Sequence, residues 1–63
     1  MNDVEKLRLL LPHWIEHDGE HAEEFRGWAE RVAPARAALM AAADCLEQAN
    51  QRLREAMERL QTA

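Results

Sequence analysis

The sequence has little of what usually holds a small domain together. A single cysteine, Cys45, excludes an internal disulfide. Tyrosine is absent, phenylalanine occurs once, and the 63 residues contain only two prolines and two glycines. The hydrophobic share is 48%, but twelve of those residues are alanines, which leaves eighteen Leu, Ile, Val, Phe, Trp, Met or Cys. Chains below ~70–80 residues rarely draw more than about 3–5 kcal/mol from their own core, and natural ones add disulfides, a metal or a partner subunit. With no disulfide available, the remaining supports are a metal, oligomerisation, or both.

Basic charge in excess is missing as well. Eight Lys and Arg face twelve Asp and Glu, giving a formal charge of -4 and a pI near 5.2. Nucleic-acid binders need a concentrated basic face, so that class is excluded. No run approaches the ~18 apolar residues of a membrane span, and the start Met1-Asn2-Asp3-Val4-Glu5 lacks the basic opening of a secretion signal. The expectation is a soluble, cytoplasmic protein with no membrane partner. Two helices cannot enclose a substrate cleft of several hundred cubic ångströms, so an enzyme is not expected.

Ala, Leu, Glu, Gln and Arg dominate what is present, and strand-like alternation does not occur, so propensity predicts helix nearly throughout. The strongest break is Ala33-Pro34, because proline suits a first helical turn and pushes its predecessor out of the α region. One all-α domain over residues 1–63 follows, with helix 1 about Asp3 to Val32 and helix 2 about Pro34 to Gln61. So short a linker predicts an antiparallel helical hairpin, which dimerises into a four-helix or extended coiled-coil bundle. Pro12 predicts a kink, or a break after Leu11, and Gly19 invites a second break at Asp18-Gly19.

Helix 2 carries Leu39, Leu46, Leu53 and Leu60 at seven-residue spacing, with Ala43, Asn50 and Met57 at the companion a positions. Ala42, Ala49 and Ala56 run alongside, a pattern that admits another helix at close range. Helix 1 follows the same repeat with Val4, Leu11, Asp18, Phe25 and Val32 at a. Its d positions are Leu7, Trp14, His21 and Trp28, the two tryptophans being expected as large core residues. This seam is apolar at both ends and polar in the middle, where Asp18 and His21 stand in place of Leu or Phe. Buried polar groups must be paired, so the interruption needs an ion, a neighbouring chain, or Asn50 across the hairpin. Folding about residues 33–34 brings Asn50 level with about Asp18, Glu47 level with about His21, and Cys45 level with about Ala22.

All three histidines fall in the stretch His13-Trp14-Ile15-Glu16-His17-Asp18-Gly19-Glu20-His21. Residues four apart share a helix face, so His13, His17 and His21 form a ladder, with Glu20 and Glu24 beside it at the same pitch. An i, i+4 pair of imidazoles grips one metal ion, and Glu16, Asp18, Glu20, Glu23 and Glu24 would draw in a divalent cation. His13 and His21 are eight residues, about 12 Å, apart along a straight axis, so one ion takes His17 with either neighbour. A two-fold dimer would supply the remaining ligands. Trp14 is placed as a wall that fixes the imidazoles and Glu24 as a neighbouring acceptor, with Cys45, Glu47 and Asn50 as lesser candidates around the site. Imidazoles suit nickel, zinc, copper and cobalt alike, so the ligand type alone does not select the metal.

The string His13-Trp14-x-x-His17-x-x-x-His21 resembles the H-W-x2-H-x3-H signature of the CooJ-type accessory proteins of carbon monoxide dehydrogenase maturation. The resemblance covers nine residues closely, and the helical character of the rest is consistent with the N-terminal region of that family. It implies a homodimeric coiled coil that binds Ni(II) near its dimer interface on His13, His17 and His21, with Trp14 beside them. It also implies the role of a metallochaperone whose recipient is a metalloenzyme. CooJ-type proteins carry a histidine-rich tail, whereas no histidine follows His21 here. A reading from another class is a structural dimerisation module, in which His17, Asp18, His21 and Asn50 form a polar layer that sets register without metal.

Overall fold

The computed structural model describes residues 1–61. Helix α1 spans Asp3–Arg31, a 3-10 turn spans Ala33–Ala35, and α2 spans Arg36–Gln61, with no strand among the described residues. No described helix is long and apolar enough to cross a membrane. The two helices run back along one another. Across the pair, Arg8 on α1 donates to the carbonyl of Leu60 near the end of α2, while Arg36 at the start of α2 donates to the Ala29 carbonyl at 3.1 Å. Each helix therefore has a carbonyl of its last turns capped by an arginine from the other, where a cation also meets the negative end of the helix dipole.

The ends form as local chemistry dictates. Asn2 sits in extended backbone and its Oδ1 accepts from the Glu5 amide at 2.9 Å, while Asp3 and Glu5 place negative charge in the first turn. Val32 leaves the helix at φ -124° and ψ 89°, and Pro34 is absorbed into the 3-10 turn. α2 thus begins at Arg36, two residues later than the position of Pro34 suggested.

α1 does not break after Leu11 or at Asp18-Gly19; it passes through Pro12 and both glycines as a single helix of 29 residues. Pro12 is exposed, whereas Leu11, Ala22 and Ala29 are buried against α2 on either side of the weak points. Tertiary burial along the whole length offsets the local cost, as it does for most helices in proteins. A Cβ added at Gly19 or Gly27 would meet nothing within 4 Å. Gly19→Ala and Gly27→Ala are each expected to stabilise the fold by about 0.5–1 kcal/mol, raising the melting midpoint by several degrees in a circular-dichroism melt. A lowered midpoint in either variant would contradict the continuous helix.

The core is thin. It consists of Leu11, Ala22, Ala29 and Ala43, with Asn50, 5% exposed, as its polar member. Asn50 donates through Nδ2 to the carbonyl of Ile15 at 2.9 Å, while its buried Oδ1 has no partner. An unpaired buried acceptor costs ~1–3 kcal/mol, and what it gives in return is a fixed level of one helix against the other.

The tryptophans are not core residues of this hairpin, since Trp14 is 40% and Trp28 50% exposed. The four heptad leucines of α2 are only half-buried, and the residues turned fully toward α1 are the a-position Ala43 and Asn50. Small side chains line the contact, so the large ones are displaced to its flank. The Cα trace measures 46 × 17 × 11 Å, a slab one helix thick.

Candidate metal centre

The ladder expected from the four-residue spacing is present on α1. The His17 and His21 rings approach to 4.4 Å between centroids at an interplanar angle of 83°, and His13 stacks on His17 at 6.2 Å and 24°. Two imidazoles on one ion need donor nitrogens within about 4 Å of each other, twice a bond of ~2.0–2.1 Å. Ring centroids 4.4 Å apart for His17–His21 and 6.2 Å apart for His13–His17 leave either pair able to meet that requirement by side-chain rotation. His13 and His17 are exposed, and His21 is half-buried. Among the described residues, no three His, Cys, Asp or Glu side chains converge on a point that would hold an ion. One chain thus brings the imidazoles together in a row and encloses no site.

The surroundings differ in part from those expected. A shallow hollow of about 100 Å³ is lined by His13, Glu16, His17 and Glu20, so two carboxylates stand at the His13–His17 end of the ladder. Glu24 is exposed and lies outside that hollow. The aromatic ring against His21 belongs to Phe25, at 6.0 Å and 36°, and not to Trp14. Phe25 follows His21 by four residues, so the same spacing that revealed the ladder also carries its apolar neighbour. Trp28, further along, is covered by the guanidinium of Arg31 at 5.0 Å.

Three candidates lie elsewhere. Glu47 pairs with Arg26 at 2.6 Å, and Asp44 joins the same guanidinium at 2.9 Å. The hydrogen bond to Glu47 is the largest influence holding Arg26 above its ordinary pKa. Asn50 is committed to the Ile15 carbonyl, which points along α1 toward Gly19 and so holds Asn50 near the Asp18 level that the fold-back suggested. Cys45 is exposed, beside a hollow lined by Gln48, Ala49, Gln51 and Arg52, and has no histidine near it there.

The chain was compared with known proteins. No curated protein and no solved structure matches it. A family model described as a domain of unknown function does match, over residues 7–60, a span that takes in both helices, the turn and all three histidines. The chain accordingly belongs to the family described as "Domain of unknown function (DUF8180)".

Proposed function

We propose that this protein is a metal-binding accessory protein, a cytoplasmic homodimer that captures Ni(II) through His17 and His21, with His13 at the edge of the site. The observation that carries the reading is the ladder of three imidazoles on α1, with His17 4.4 Å from His21 on one side and, on the other, sharing a hollow with His13, Glu16 and Glu20. Two imidazoles per chain fill half of a four-ligand sphere, and a second chain supplies the other half. Such a site binds without enclosing its cargo, which suits reversible capture and handover rather than catalysis. The choice of nickel over zinc, copper or cobalt, and of carbon monoxide dehydrogenase as recipient, rests on the resemblance of the His13-Trp14-x-x-His17-x-x-x-His21 string alone. Trp14 and Glu24 then border the site without touching the ion.

Protons and metal compete for the same nitrogens. Only a neutral imidazole ligates, so affinity falls as the solution is made acid enough to protonate imidazole. Calorimetric titration with NiCl2 is expected to give one ion per two chains at pH 7.5 and little heat at pH 5. Equal affinity at both pH values would refute imidazole ligation.

A second reading draws on the buried Asn50 amide held at the Ile15 carbonyl. Here His17, Asp18, His21 and Asn50 are a polar layer that fixes register in a structural dimerisation module. Chelation separates the two readings. If EDTA and His17→Ala leave both dimer mass and metal content unchanged, the structural module stands and the metal-binding reading falls.

A further inference from the structure

The slab has two unlike broad sides. From the line where Leu11, Ala22 and Ala29 meet Ala43 and Asn50, one way round each helix leads to the ion pairs of Arg26 with Asp44 and Glu47. The other way leads to Leu10, Trp14 and Trp28 on α1, all at least 40% exposed, and to half-buried Leu46, Leu53 and Leu60 on α2. His17 and His21 lie on this second, apolar side. A compact chain of 7.3 kDa exposes about 4,200 Å² by the usual scaling, against 4898 Å² here. The excess, about 700 Å², is close to the ~800 Å² per partner that a stable interface buries.

The apolar side is also palindromic. On α2, Leu46 mirrors Leu53 and Leu39 mirrors Leu60, while Ala42 mirrors Ala56 about Ala49. On α1, Leu7 mirrors Trp28, Leu10 mirrors Phe25, and Trp14 mirrors His21 about a centre between His17 and Asp18. The two centres lie at one level, because Asn50, next to Ala49, is hydrogen-bonded to the Ile15 carbonyl.

We propose that this side receives a second copy of the chain, reversed end for end, with α1 on α1 and α2 on α2. Its two-fold axis crosses α1 between His17 and Asp18 and crosses α2 beside Ala49. A symmetric interface of this kind needs a self-complementary patch, and a pattern that reads alike in both directions is one. Bulky Trp28 then covers the partner's Leu7, the Ala42–Ala49–Ala56 stripe lets the two α2 helices approach closely, and the interrupted middle of α1 faces itself. The two His17 side chains then face each other across the axis, one residue apart along α1, while the two His21 lie seven residues, about 10.5 Å, apart. The proposal deepens the metal-binding reading, which calls for a second chain, but the apolar pairing does not need metal.

The test is run in EDTA, so that failure of metal binding and failure of this arrangement stay distinct. In a Cys45→Ser background the chain is expected at twice 7.3 kDa by light scattering. Ala49→Cys should then oxidise to a covalent dimer, since its counterpart lies directly across the axis. Ala42→Cys alone should stay reduced, because its counterpart is about 20 Å away along the axis at 1.5 Å per residue, against the 4.4–6.8 Å Cα separation of a disulfide. Mixed with Ala56→Cys, it should cross-link. A single-chain mass, a dimer in which Ala49→Cys stays reduced, or self-linking of Ala42→Cys each overturns the proposal.

Discussion

His17→Ala is expected to abolish measurable Ni(II) uptake while leaving the helix content unchanged. His17 contacts both of the other imidazoles, 4.4 Å from His21 and 6.2 Å from His13, so its removal dissolves both possible pairs at once. Loss of an outer-shell partner alone costs metal affinity about 10–100-fold, and loss of a direct ligand should exceed that range. The side chain is exposed and carries no packing, so the fold should not respond. The series has an order: His17→Ala should weaken binding most, because His17 alone belongs to both pairs, and His21→Ala and His13→Ala should each weaken it less. Calorimetry with NiCl2 at pH 7.5, paired with circular dichroism of the same samples, decides it. Wild-type affinity in His17→Ala would end the metal-binding reading, and His13→Ala as the most damaging change would move the site to the other pair.

Leu11→Ala should have the largest effect on stability. Leu11 is 1% exposed and is the one large side chain fully buried among the described residues. Truncating such a leucine costs about 2–5 kcal/mol, which is comparable to the ~3–5 kcal/mol that a core this small supplies. The melting midpoint is expected to fall by roughly 10 °C or more, at 4–8 °C per kcal/mol for domains of this size. Leu9→Ala, at a position 65% exposed, provides the control and should shift it by no more than a degree or two. Similar shifts in the two variants would mean that the pairing of α1 with α2 is wrong.

Helix content, the turn at Pro34 and the histidine ladder were all legible in the sequence, because each follows from local rules: propensity, the fixed φ of proline and the four-residue pitch. What escaped is what local rules do not contain. Pro12 suggested a break, yet buried contacts at Leu11, Ala22 and Ala29 carry the helix through it. Heptad spacing marked an apolar edge on each helix without saying whether that edge meets the same chain or another. The intrachain contact uses Ala43 and Asn50, and the tryptophans are left at the flank. Glu47 stood at a suitable level for the site, but Arg26, nine residues nearer the bend than His17, holds it on the opposite broad side. Phe25, the ring beside His21, was assigned to the seam and not to the site.

The bonds that join the helices also differ in how they respond to acid. Arg8 to the Leu60 carbonyl, Arg36 to the Ala29 carbonyl and Asn50 to the Ile15 carbonyl involve no group that gains or loses a proton between mildly acidic and alkaline conditions. The Arg26 pairs with Asp44 and Glu47, by contrast, rest on carboxylates. The histidine ladder lies on α1 alone and takes no part in these bonds, so on the proposed metal-binding reading an ion is taken up and given back without a refolding step between the two helices.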